Sequence, residues 1–217
     1  MALLTELLTE IKMINGQSQI SIAPPRLTAD PIIVVSGLPR SGTSMLMQML
    51  AAGGIPIYCD AQRQADIDNP RGYYELARLK ELTKEKDNAW MGMAQGKAVK
   101  IISHLLPKLP NAYMYKTVLM NRNLHEVLAS QNKMLARRGR PVDTNVTAKL
   151  RALFEEHLHH IKSWLGQQSN FEVIEIEYQR AVNDPARHAR QLQGFLDIDL
   201  HVQKMAAVPD EKLYRNR

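Results

Sequence analysis

Gly37 and Gly42 stand five positions apart, with Arg40 between them and the hydroxyls of Thr43 and Ser44 just beyond. They follow the β-branched run Ile32-Ile-Val-Val-Ser36 and open an apolar, helix-periodic stretch from about Thr43 to Ala52. A strand, a glycine-rich turn and a helix N-terminus, in that order, aim consecutive backbone N–H groups and the positive end of the helix dipole at one spot. An anion is the natural occupant. The two glycines let the backbone wrap it closely, and Arg40, Thr43 and Ser44 add charged and hydroxyl donors. The spacing fits the phosphate loop G-x-x-x-x-G-K-[ST], with Ser44 in the last position. Thr43 stands where that pattern has lysine, so the usual cation on the β/γ phosphates of ATP or GTP is missing.

Pro39-Arg40-Ser41-Gly42-Thr43-Ser44 resembles the 5′-phosphosulfate loop of the PAPS-dependent sulfotransferases (PAPS is 3′-phosphoadenosine 5′-phosphosulfate). Three further pieces match that family in order. Asn69-Pro-Arg-Gly-Tyr-Tyr-Glu75 is similar to an Asn-Pro-Lys-Gly-aromatic-aromatic-Glu segment of bacterial members. Val118-Leu-Met-Asn-Arg122, followed by Ser130, resembles the 3′-phosphate site. Ile174–Tyr178, Asp184-Pro185 and Phe195-Leu196 resemble the family's late strand and helix. The resemblance covers about residues 32–200. It implies a P-loop-type fold and PAPS as donor. Gly37, Arg40, Ser41, Gly42, Thr43 and Ser44 would hold the 5′-phosphosulfate, and Arg122 with Ser130 the 3′-phosphate. Arg122 would then sit at the carboxyl end of a strand, where open α/β sheets bind ligands.

Sulfuryl transfer asks the protein to align the nucleophile, to offset charge on the leaving phosphate and to accept a proton. Arg40 and the loop N–H groups serve the second need. For the third, His104 is the first candidate. Its context, Lys100-Ile-Ile-Ser-His104-Leu-Leu-Pro107, resembles the family's Lys-x-His-Leu-Pro stretch, with Lys and His four apart instead of two. Glu75 is the second, because other branches of the family use a carboxylate. Tyr178-Gln179 replaces the family's Tyr-Glu. The C-terminal glycine-rich basic loop of cytosolic members is reduced to Leu213–Arg217.

The elements that must position these residues are read from periodicity. Strands are expected at 32–36, 55–58, 98–102, 114–121 and 171–177. Helices are expected at 43–52, 74–86 and 123–137, then from a cap at Asp143-Thr144 and from Asp184-Pro185. Strands alternating with helices give a three-layer α/β domain over 31–217, with a mainly parallel sheet of about five strands covered on both faces. An amphipathic helix and a Pro-containing linker over 1–30 precede it. Met45, Met47 and Met49 read as core, and so does Cys59. His157, His159 and His160 read as a solvated helix face; no metal site is expected. Arg137-Arg138-Gly139-Arg140 reads as a basic turn that suits the helix dipole or an acidic acceptor.

Lys and Arg number 28 against 22 Asp and Glu, a net charge of +6. That favours small anions, but no recognition-helix or aromatic-studded basic pattern points to nucleic acid. With 45% apolar residues and one cysteine, the chain reads as a folded, disulfide-free cytoplasmic protein. No run reaches the roughly 18 apolar residues of a membrane span. The acceptor is a small molecule or glycan that the sequence does not name. Two rival functions stay open at this point: an ATP-dependent P-loop kinase or hydrolase, and a noncatalytic nucleotide- or polyanion-binding module.

Overall fold

The computed structural model describes residues 30–60, 65–66, 69, 72–82, 88–140 and 144–210. The expected helix near the N-terminus lies outside them, as do Pro70, Arg71, the Asp143 cap, Arg215 and Arg217.

β1 (Ile32–Gly37) is buried along its whole length. Ile33 and Val35 face one apolar cluster, and Ile32 and Val34 face another on the opposite side. Burial on both faces explains why this strand reads as a continuous apolar run instead of an alternating one. β2 (Ala98–Ile102) and β3 (Tyr115–Asn121) flank β1, and β4 (Phe171–Glu177) pairs with β3. All three pairings are parallel, in the order β2-β1-β3-β4.

Among the described residues the sheet therefore has four strands, not about five. The segment expected as a further strand, 55–58, makes one parallel bridge from Ile57 to Ala98. Two hydrogen bonds flank it: Ala98 N–H to Pro56 O and Tyr58 N–H to Ala98 O, each 2.8 Å. Pro56 has no N–H to extend the ladder.

α1 (Thr43–Gly53) buries Leu46, Met47, Met49 and Leu50 and stops at Gly54, whose φ of 101° is left-handed. It packs on one face of the sheet with α5 (Pro185–Leu196) and α6 (Val202–Ala206), which follow the short α4 (Tyr178–Asn183). Asp184 caps α5 by accepting from Arg187 N–H at 3.1 Å, with Pro185 in the first turn, as the sequence pattern requires. The other face is covered by α3 (Thr144–Leu165) and by 3₁₀ turns at Ala89–Ala94 and Ser103–Lys108. α2 (Leu124–Arg137) begins at Asn123, whose side chain accepts from His125 N–H.

The polar helix expected from Tyr74 is a 3₁₀ turn at Ala77–Glu81 among the described residues. Tyr74 has a φ of 53°, which cannot open a right-handed helix. Cys59 is exposed, not core. His157 is fully buried, not solvated.

Candidate active site

Strand register brings the site residues to one edge. Gly37 pairs with both Ile102 and Met120, and Asn121 pairs with Glu177. The loop after β1, Arg122 after β3 and Tyr178 after β4 therefore emerge together at the carboxyl ends of the strands.

Within the loop, Arg40 has a left-handed φ of 71°, and Ser41 N–H donates to Leu38 O at 3.1 Å. Gly42, with a φ of 107°, is the cap of α1. A Cβ there would lie 2.3 Å from Tyr178 Cδ2, so glycine is required both by the turn and by the tyrosine ring packed on it. Ser41 is 1% exposed and its Oγ has no hydrogen-bond partner. A buried hydroxyl left unpaired in a loop of anion-binding geometry fits a phosphate or sulfate oxygen as its missing partner.

Arg122 and Ser130, placed together by resemblance, converge on this loop. Arg122 Nη1 donates to Arg40 O at 3.1 Å, and Arg40 Nε donates to Ser130 Oγ at 3.0 Å. Arg122 is held on two further sides. Its Nε lies 2.9 Å from Glu126 Oε2, one helical turn on, and its guanidinium carbon sits 4.3 Å from the Tyr178 ring centre. Burial pushes the Tyr178 phenol above its ordinary pKa, with Arg122 and Arg40 pulling it back.

Lys100, which the sequence reading did not single out as a site residue, points into the loop from β2. Its amine lies 3.4 Å from Ser44 Oγ, donates to Tyr73 O and is 3.7 Å from Glu75 Oε1. Asn69 Nδ2 donates to the same Ser44 Oγ at 2.9 Å. The lysine missing at position 43 thus has a counterpart supplied from the neighbouring strand. Its signal was one charge in the run Ala-Val-Lys-Ile-Ile, because a lysine on a strand with covered faces needs partners. Cys59 feels the same amine. Partial burial of the sulfur and then Asp60 raise its thiol pKa, while Lys100 lowers it.

The two base candidates part company. Glu75 stays beside Lys100, with a side chain 42% exposed. His104 is 4% exposed in the 3₁₀ turn after β2. It lies near His157 of α3, whose Nε2 is 2.9 Å from Ser103 Oγ. Burial first, then the charges of His104 and His160, hold the His157 pKa at about 4. No cluster of three or more His, Cys, Asp or Glu suited to a metal occurs among the described residues.

A parallel sheet with a glycine-rich anion loop at its carboxyl edge, and a second cationic site beside it, defines a P-loop-type nucleotide-binding domain. The chain matches the sulfotransferase domain family over residues 30–213, and it belongs to that family. It is therefore a transferase of sulfuryl groups, in a family that uses PAPS. The sulfotransferase domain of the Synechococcus PCC 7002 olefin synthase has the same fold: TM-score 0.52, 16% identity, covering 93% of this chain and 87% of its own. A sulfotransferase from Alicyclobacillus acidocaldarius gives 0.48 at 16% identity, covering 84% and 85%. A mouse sulfotransferase complexed with PAP gives 0.46 at 20% identity, covering 83% and 62%. No curated protein sequence matches the chain.

Proposed function

We propose that the loop from Gly37 to Ser44 grips the 5′-phosphosulfate of PAPS, that Arg122 and Ser130 grip its 3′-phosphate, and that the acceptor is a hydroxyl or amine. One observation carries this reading. Arg40 bonds Ser130 through its side chain and Arg122 through its carbonyl, so the two cationic sites meet at one residue. A ligand with anionic groups at both ends of a nucleoside spans such a pair, and ATP does not.

When bound, PAPS supplies an activated sulfuryl group on a phosphate leaving group. Arg40 and Lys100 offset the charge on that phosphate, and Ser41 and Ser44 donate hydroxyl protons to it. Glu75 accepts the acceptor's proton, because its carboxylate is open to solvent beside Lys100, whereas His104 is enclosed. The setting is cytoplasmic, in keeping with a lone, exposed Cys59. No helix among the described residues is long and apolar enough to cross a membrane.

Thermal melting with adenosine 3′,5′-bisphosphate (PAP), beside ATP with magnesium, tests the donor site. At about 100 times its Kd, PAP should stabilise by roughly 2.7 kcal/mol, or about 5–10 °C, and Arg122→Ala should abolish the rise. Stabilisation by ATP with magnesium alone would overturn the assignment. Turnover over a panel of phenols, alcohols and amines tests the base. Glu75→Gln should lose about a hundredfold or more, and His104→Gln far less. The reverse order would move the role to His104. PAP binding without turnover on any acceptor would make the chain a binding module.

A further inference from the structure

The basic turn that ends α2 is not absorbed by the donor site. Lys133, Arg137, Arg138 and Arg140 are all exposed. The helix dipole favours cations here, but it does not account for what Arg138 faces. Arg138 Nη2 lies 3.9 Å from Asp66 Oδ2. The other carboxylate oxygen, Oδ1, accepts from Tyr73 O–H at 2.7 Å and from Asn69 N–H at 3.0 Å. Tyr73 in turn offers its carbonyl to Lys100 and Ser44. One tyrosine therefore links the phosphate loop to the arginine turn.

Asp66 shows that this rim holds a carboxylate. Its Oδ1 is anchored at ordinary hydrogen-bond lengths, whereas Oδ2 meets Arg138 about 1 Å beyond a charge-assisted bond. The Arg138 guanidinium fork is thus loosely used, in an exposed turn that also carries Arg137 and Arg140. We infer that Arg138 is an acceptor-binding residue, and that this enzyme sulfates an acceptor carrying its own carboxylate or phosphate, which takes the place facing Arg138 that Asp66 Oδ2 holds. This deepens the donor-site reading and rests on it. The anion would dock at the rim, while the hydroxyl or amine reaches past Tyr73 toward Lys100 and Glu75.

The test uses the full chain saturated with PAP, so that the phosphate loop is already filled. Two probes are titrated separately: glutarate for a carboxylate source and glycerol 3-phosphate for a phosphate source. The readouts are the Arg138 Nε–Hε resonance and the Kd. Saturable binding of either probe is expected. Arg138→Gln should weaken it about fivefold, and Asp66→Asn, which keeps the Tyr73 and Asn69 bonds but removes the competing charge, should tighten it about threefold. The probe that binds more tightly identifies the source. PAP affinity should be the same in both variants. If PAP binds but neither probe saturates, or if both variants bind the probes like the wild type, the acceptor site is overturned and the donor site stands. Failure of PAP itself to bind overturns the donor reading and this inference with it.

Discussion

His157 shows how far one buried side chain can set the behaviour of the fold. It is fully buried, with its pKa held at about 4 against the ordinary 6.5. The unfolded chain therefore takes up a proton before the native one does. The contribution of His157 to stability is undiminished above about pH 6.5, falls as the pH drops toward 4, and levels off below that. The slope between those limits should approach about 1.4 kcal/mol per pH unit, and His157→Gln, which keeps a partner for Ser103, should flatten it. Urea melts of both proteins at several pH values check this; parallel curves would show that the imidazole does not govern acid stability. The same residue marks a limit of sequence reading. Three histidines within four positions look like a solvated face. Only its burial and its contact with Ser103, 54 residues away, show that one of them points inward.

At the level of elements, most of what positions the loop was legible. β1, β2, β3 and β4 are short apolar or alternating runs, and α1 and α5 announce their ends with Gly54 and Asp184-Pro185. The errors share a cause. The 55–58 segment has strand-like side chains, but Pro56 removes a ladder donor. The 74–86 segment has helix-like composition, but Tyr74 starts it with the wrong backbone hand. The site divides the same way. Arg40, Ser41, Arg122 and Ser130 carried motif or spacing signals. Lys100 carried only a charge in an apolar strand, and nothing local says that it meets Ser44. Lys116 of β3 is a comparable case with a structural task. Its amine donates to Phe195 O at 2.9 Å and Leu196 O at 3.2 Å, closing the C-terminal end of α5. Lys116→Met should keep the packing yet cost about 1–2 kcal/mol and lower Tm by a few degrees. PAP binding should be unaffected, since Lys116 lies near the amino end of β3 and the loop at the carboxyl ends of the strands.

For the molecule as a whole, an open sheet has two rims, and each presents unpaired backbone groups to other chains. The rim beyond β2 is closed by the Pro56–Tyr58 segment, whose proline offers no donor. The rim beyond β4 is longer, and it carries Glu172, Glu175 and Glu177 with exposed side chains. Two copies approaching there would have to bring these carboxylates together or break their ion pairs with Lys116, Lys162 and Arg180. Replacing Glu172 and Glu175 by valine should therefore raise light scattering on mild heating at micromolar concentration, well below the Tm; clear solutions would show that these acids are dispensable. A chain whose net charge is positive thus keeps its most negative strand at the place where sheet-to-sheet aggregation would begin. The four-stranded sheet that presents the anion site can stay open without recruiting a fifth strand from a neighbour.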